Sequence, residues 1–317
     1  MRPAQVLPAS RPGAGAAPRL ARACLVAATA AALLGCPAPP EPGEPLAGLG
    51  PEERDRFEAG RAVFDSAFAP ETGLGPLFNG TACVACHAVP VSGGGGEVTE
   101  VHATALLEDG FCDPLADRGG PVFQRSVTPA LREALGIEVE PIPEAATDTA
   151  VRSTPDVFGF GLLDAVPDSA ILALADPDDA DGDGISGRAN RFFDGRLGRF
   201  GRKALVPTLD EFNEGAFQIE QGVTTPNVPD EGTVAGDPIP PGADPVDDPE
   251  LDEESAQLTN AFVRLLAPPA RRKPKGPARR GERLFGELGC DACHVPSLRT
   301  GDHPVEALAN REVRAYT

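Results

Sequence analysis

Apolar residues fall at helical spacing in only a few stretches of this chain. Phe57, Val63, Phe64 and Phe68 follow Pro51-Glu52-Glu53, and the pattern predicts a helix from Pro51. Proline costs no hydrogen bond in a first turn, and acids there face the positive end of the helix dipole. Leu258, Phe262, Leu265 and Leu266 predict a second helix, stopped by Pro268-Pro269. Between them, Val157 to Leu163 leads into a short helix over Ile171–Ala175, with Asp168 as its expected cap. Residues 222–254 are rich in Pro, Gly, Asp and Glu and read as an exposed acidic loop or linker. The basic run Arg271, Arg272, Lys273, Lys275, Arg279 and Arg280 reads as a second, solvated linker. The pattern predicts a mainly α, loop-rich protein.

Composition agrees on the loops: 36 Gly, 35 Pro and no Trp in 317 residues. The net charge of −20 argues against nucleic acid as a partner, since phosphate binding needs the opposite sign. Residues 1–35 contain Arg2, Arg11, Arg19 and Arg22, no acid, and an apolar run from Cys24 to Leu34. That run suits a signal peptide and is too short to cross a bilayer. Leu33-Leu34-Gly35-Cys36 resembles a bacterial lipobox, which makes Cys36 the expected lipidated residue and 36–50 a tether. Ordinary signal cleavage is the alternative. The expected location is the periplasm, held to the membrane through the lipid alone, or secretion.

Four of the seven cysteines lie in two C-x-x-C-H units, Cys83, Cys86 and His87, then Cys290, Cys293 and His294. Two thiols at this spacing can form thioethers to both vinyl groups of one haem, and the adjacent imidazole then ligates the iron. Zinc would need further ligands near each pair, and a redox C-x-x-C needs no following histidine. The expected cofactors are therefore two haem c groups. Each unit follows the same phrase, Gly60-Arg61-Ala62-Val63-Phe64 and Gly281-Glu282-Arg283-Leu284-Phe285, so the pattern is an internal repeat. The expected architecture is two cytochrome c-like haem modules, 51–221 and 255–317, the second incomplete and C-terminally truncated. Only 37 residues run from Gly281 to Thr317, and its distal iron ligand is expected beyond them. Met1 is the only methionine, so the candidate distal ligand within the chain is His102, with His303 and Tyr316 weaker. Cys112 is expected to be a buried or partly buried free thiol, and Glu97 and Glu100 surface carboxylates.

Asp179, Asp181 and Asp183 with Gly184 and Ile185 repeat the D-x-D-x-D-G core of a calcium loop. Asn190 stands where an EF-hand has a bidentate glutamate, so the expectation is a Ca²⁺-stabilised turn, with a solvated acidic loop as the alternative.

Gly75-Pro76-Leu77-Phe78-Asn79, Ser153-Thr154-Pro155, Phe160 through Asp168, Asp183 through Arg188, Gly198-Arg199-Phe200-Gly201 and Leu266-Ala267-Pro268-Pro269 stand in that order. In combination with the two haem motifs, the chain resembles the di-haem oxidoreductase family, which is peroxidase-like and sometimes labelled thiol-oxidoreductase-like. That resemblance implies an exported di-haem c-type oxidoreductase in which one haem takes electrons from a small redox protein and the other reduces peroxide. A non-catalytic di-haem electron-transfer protein is the alternative; oxygenase chemistry is weaker. Family members usually place a Trp after Gly-Arg-Phe-Gly, where this chain has Arg202 and Lys203, and they continue past the position of Thr317 into a segment with a His and a Met.

Overall fold

Pro51, Glu52 and Glu53 begin the first helix, α1 (Pro51–Asp65), of the computed structural model, which describes residues 39–316. The Glu53 carboxylate accepts from the Gly50 N–H and ties off a free donor of the first turn. The expected signal peptide and the expected lipidation residue Cys36 lie outside the described residues. Seven further helices follow: α2 (Cys83–Cys86), α3 (Pro129–Leu135), α4 (Phe160–Asp164), α5 (Asp168–Leu172), α6 (Leu209–Gln221), α7 (Glu253–Leu265) and α8 (Pro277–Glu287). Strands β1 (Leu77–Phe78), β2 (Thr99–Leu106), β3 (Cys112–Asp113), β4 (Val122–Phe123), β5 (Ser126–Val127), β6 (Asp148–Ser153), β7 (Thr233–Val234), β8 (Asp237–Pro238), β9 (Leu298–Arg299) and β10 (Glu312–Val313) alternate with them.

The mainly α expectation is wrong. Helix makes up 31% and strand 15%, in small sheets, and a pair of cytochrome c-like modules is not shown. The largest sheet is antiparallel. β2 pairs with β6 from Thr99↔Ser153 to Thr104↔Asp148 along one edge, and with β4 and then β3 along the other. β2 alternates Val101, Ala103 and Ala105 with polar residues, whereas β6 and the two-residue strands β3 and β4 are too polar or too short to show a period, and backbone hydrogen bonds hold them to β2.

The main core forms where α1 crosses α7. Phe57 and Phe64 lie 5.0 and 4.9 Å from Phe262, centroid to centroid. A Cβ on Gly60 would stand 1.9 Å from the Leu258 carbonyl oxygen, so only glycine permits this approach. The same cluster takes in Leu46 and Leu49 at one extreme and Leu308 and Val313 at the other. It therefore draws on both sides of residues 222–254. Leu46 and Leu49 belong to the stretch expected as a tether, and the Leu46 N–H donates to the Leu265 carbonyl at 2.8 Å. Nor is the acidic segment a free linker: Val223, Thr224, Thr225, Val234, Ala243 and Leu251 are buried.

The helix expected over Ile171–Ala175 starts earlier. Asp168 is its first residue and does not cap it; the carboxylate pairs with Arg199. Among the described residues no helix is long and apolar enough to cross a membrane.

Candidate functional site

Helix α2 places Cys83 and Cys86 on one turn, and the His87 N–H closes it by donating to the Cys83 carbonyl at 2.9 Å. Burial pushes the Cys83 thiol up to about 12, and the Gln221 side-chain amide lies 3.4 Å from its sulfur. The Cys86 thiol is raised as well, by burial and then by the charge of Glu220. Burial lowers the His87 pKa against the opposing pull of the Gly94 and Pro155 carbonyls. His87 Nδ1 lies 3.1 Å from the Gly94 carbonyl oxygen. That contact favours the tautomer with the proton on Nδ1, which leaves Nε2 unprotonated.

The loop that supplies this carbonyl is Gly93-Gly94-Gly95-Gly96. A Cβ on Gly94 would meet the Val89 carbonyl oxygen at 2.1 Å, and one on Gly96 the Cys86 carbonyl oxygen at 2.0 Å. Four consecutive glycines six residues after the motif histidine are the mark this close approach leaves in the sequence.

The second motif repeats the arrangement. Cys290–Ala292 form a 3-10 turn, and the His294 N–H donates to the Cys290 carbonyl at 2.9 Å. His294 Nδ1 lies 3.1 Å from the Tyr316 carbonyl oxygen. The Phe285 ring sits 6.3 Å from that imidazole at 57°; Phe64 sits 6.1 Å from His87 at 53°. Thus one phrase of sequence produces one local geometry twice: two free thiols, an imidazole tethered at Nδ1, and a phenyl ring beside it. This donor set fits a covalently held haem in both places.

A family model described as "Di-haem oxidoreductase, putative peroxidase" matches residues 144–317. The chain belongs to the di-haem oxidoreductase family. No curated protein and no solved structure matches it. The matched span contains the second motif and begins after the first.

Much of what the family signature contributes to this di-haem oxidoreductase is scaffold. Arg264 of α7 pairs with Asp164 and Asp210, joining α4, α6 and α7. Arg199 donates to the carbonyls of Leu163, Asp164 and Val166 at the end of α4. Phe200 packs against Phe160 and Phe212. Lys203, in the pair that stands where the family usually has Trp, adopts positive φ in a turn, and its carbonyl accepts from Asn190.

His102 is buried on β2, with Nε2 at 2.7 Å from the Glu100 carboxylate and Nδ1 buried without a partner. Its ring is therefore engaged by Glu100. Contrary to the surface role expected for it, Glu100 is half-buried and also hydrogen-bonded to Glu220 of α6; Glu97 is exposed. Burial pushes Glu220 up to about 8, helped by the adjacent Glu100 carboxylate, while Asn79 donates to it at 2.8 Å. Burial works to raise Glu100 too, but its bonds to His102 and Glu220 outweigh that and hold it below its ordinary value. Glu220 and Gln221 had no motif to announce them; they reach the site because α6 ends there.

The other candidates separate. His303 Nδ1 accepts from the Val305 N–H at 3.0 Å, a turn contact. Cys112 is an exposed free thiol on β3, not the buried one expected. In the aspartate loop the carboxylates that converge are Asp176, Asp179 and Asp181; Asp183 is outside that group. Asp183 Oδ1 instead accepts from the Ile185 N–H at 2.8 Å.

Proposed function

We propose that this di-haem oxidoreductase carries two covalent haem c groups and reduces peroxide. The observation that carries the reading is the duplicated Phe–His–carbonyl geometry at the two C-x-x-C-H motifs. Cys83 and Cys86 would hold one haem and Cys290 and Cys293 the other, with His87 and His294 as iron ligands. The haems, when bound, store and pass the two electrons that cleave an O–O bond. The reaction H₂O₂ + 2H⁺ + 2e⁻ → 2H₂O also needs two protons. Glu100 and Glu220 support assigning peroxide reduction to the first motif, because their paired carboxyls stand beside Cys86 and can hold a proton there. Electron entry from a small redox protein then falls to the second, and the acidic surface favours a basic donor. Export to the periplasm, with lipid attachment at Cys36, belongs to the same reading, since c-type haem attachment occurs outside the cytoplasm.

The test is haem stoichiometry followed by turnover. Mass spectrometry of the protein expressed with a c-type maturation system should show two covalent haems. The C83A/C86A and C290A/C293A variants should each show one. Zero or one haem in the parent protein would sink the reading. If both irons are six-coordinate and low-spin in every redox state and no peroxide is consumed, the protein is an electron carrier instead.

A further inference from the structure

Strand β6 (Asp148–Ser153) closes one side of the largest sheet. Its inner side pairs with β2, and among the described residues no strand pairs with its outer side. The Ala103 N–H donates to the Pro121 carbonyl on the β4 side, so the even-numbered residues of β2 turn their backbone groups to β6. The Thr154 N–H, donating to Val98, gives the same parity. In the register Glu100↔Arg152 and His102↔Ala150, the backbone groups of β6 that face β2 are then those of Asp148, Ala150 and Arg152. Thr149, Val151 and Ser153 present theirs outward, where a further strand would bind.

Edges of this kind are ordinarily blunted by proline, by a bulge or by charges of one sign, which keep copies apart. No Pro or Gly occurs between Pro143 and Pro155, and Val151 is 68% exposed. The two charges of the strand are opposite in sign, Asp148 and Arg152, and stand symmetrically about Ala150. Both are exposed, and neither forms an ion pair among the described residues. Asp148 accepts from the Thr147 hydroxyl at 2.8 Å. Arg152 lies opposite Glu100 on β2, but the hydrogen bonds of Glu100 go to His102 and Glu220.

We propose that two copies of this chain associate through β6, joining their sheets edge to edge about a two-fold axis at Ala150. An antiparallel pairing centred there sets Thr149 opposite Val151 of the second copy. These are the outward-facing residues, so they exchange backbone hydrogen bonds on both sides of the axis, and the exposed Val151 is covered by a β-branched neighbour. Ala150 meets its own copy in the narrow, non-hydrogen-bonded pair, where a methyl group leaves room. Asp148 stands opposite Arg152 of the second copy, also in a narrow pair, and the symmetry repeats that ion pair. Centring the pairing on Thr149 or on Val151 would keep the hydrogen bonds and lose both ion pairs, since Asp148 then faces Ala150 or Thr154. The charges therefore select one register. The product is a continuous sheet with Glu100 and His102, on β2, one strand away from the contact in each copy.

The test is sedimentation equilibrium of the haem-loaded full chain over a concentration series, in reductant so that the exposed Cys112 thiols do not cross-link copies. The expected result is a reversible monomer–dimer equilibrium. Asp148→Arg sets like charges against each other twice, as does Arg152→Asp, and each should weaken the dimer about tenfold or more. An equimolar mixture of the two variants regains both ion pairs. It should dimerise as the parent does, with the mixed dimer visible in native mass spectrometry, which a misfolded variant would not form. Val151→Pro removes an N–H that faces solvent in the monomer, so it should abolish the dimer and leave the melting temperature of the dilute protein near the parent's. A monomer at every concentration overturns the proposal. So does a dimer that both single variants leave intact, or a mixture that stays monomeric. Haem content and peroxide turnover are read separately, so failure here leaves the peroxidase reading standing.

Discussion

The two haem motifs share a local geometry and differ in everything that surrounds it. At the first, Phe57, Gly60 and Phe64 of α1 are buried against α7, and the motif lies between that core and the end of α6. At the second, α8 has no buried residue, Cys293 is exposed, and Leu288 is 75% exposed. A repeated phrase of sequence therefore encodes the placement of a histidine, a phenyl ring and two thiols, while burial is decided by what packs on top. The local unit needs only its own helix, its own turn and one carbonyl acceptor. Its stability comes from elsewhere.

The sharpest way to break the comparison is to remove the shared ring. Phe64→Ala deletes a side chain that is 3% exposed and in contact with Phe262 and His87. It should cost about 3–5 kcal/mol of unfolding free energy in a denaturant titration. Phe285→Ala, at a half-exposed ring, should cost about 1 kcal/mol, since little apolar area is lost from the interior. Equal losses would mean that α8 is covered as well as α1 is, and the contrast between the motifs would fail.

Glycine gives the next test. Gly60→Ala drives a methyl group into the Leu258 carbonyl and should destabilise by about 3 kcal/mol as α1 and α7 are pushed apart. Gly281→Ala meets nothing within 4 Å and lies in an exposed helix interior, so it should stabilise by about 0.5–1 kcal/mol. Thermal melts of the two variants should move in opposite directions; a shift of the same sign in both would refute the assignment of their surroundings.

These two glycines also show how far the sequence could be read. The repeat was legible because both copies carry Gly, an apolar residue and Phe ahead of C-x-x-C-H. That Gly60 is a crossing point and Gly281 is open was not, because the difference lies in α7, some 200 residues away in the chain. Helices α1 and α7 were legible from apolar spacing. Strand β6 was not: its residues Asp148, Thr149, Arg152 and Ser153 are exposed, and it is held to β2 by backbone bonds that no side-chain pattern announces. The Glu100–His102–Glu220 group was half legible, since two members lie on one strand and the third arrives with α6. Glu231, Asp244 and Glu250 look like the rest of an acidic segment until folding brings one carboxylate oxygen of each within 4.8 Å of the others.

The smallest effect is a pH dependence tied to the N-terminal region. Glu140 is buried, accepts from the Gln124 N–H with one oxygen at 3.0 Å, and has its other oxygen buried without a partner. Burial pushes its carboxyl up to about 7 from an ordinary value of 4.5, against the bonds from the backbone of Gln124 and Ala235. A raised carboxyl binds its proton more tightly in the folded chain than in the unfolded one. Its contribution is therefore fully present below about pH 4.5 and is lost as the pH rises through about 7, by roughly 3 kcal/mol in total. Glu140→Gln keeps the shape and the acceptor oxygen without the charge. Relative to the parent, its unfolding free energy should rise between pH 5 and pH 8 by about that amount, and the two proteins should show no such drift below pH 4.5. The exposed counterpart Glu282→Gln on α8, whose side chain meets Arg271 at the surface, should alter stability by less than about 0.5 kcal/mol across the same range. A parallel pair of curves would show that Glu140 is solvated after all, and that the enclosure of the first region stops short of β4 and its neighbours.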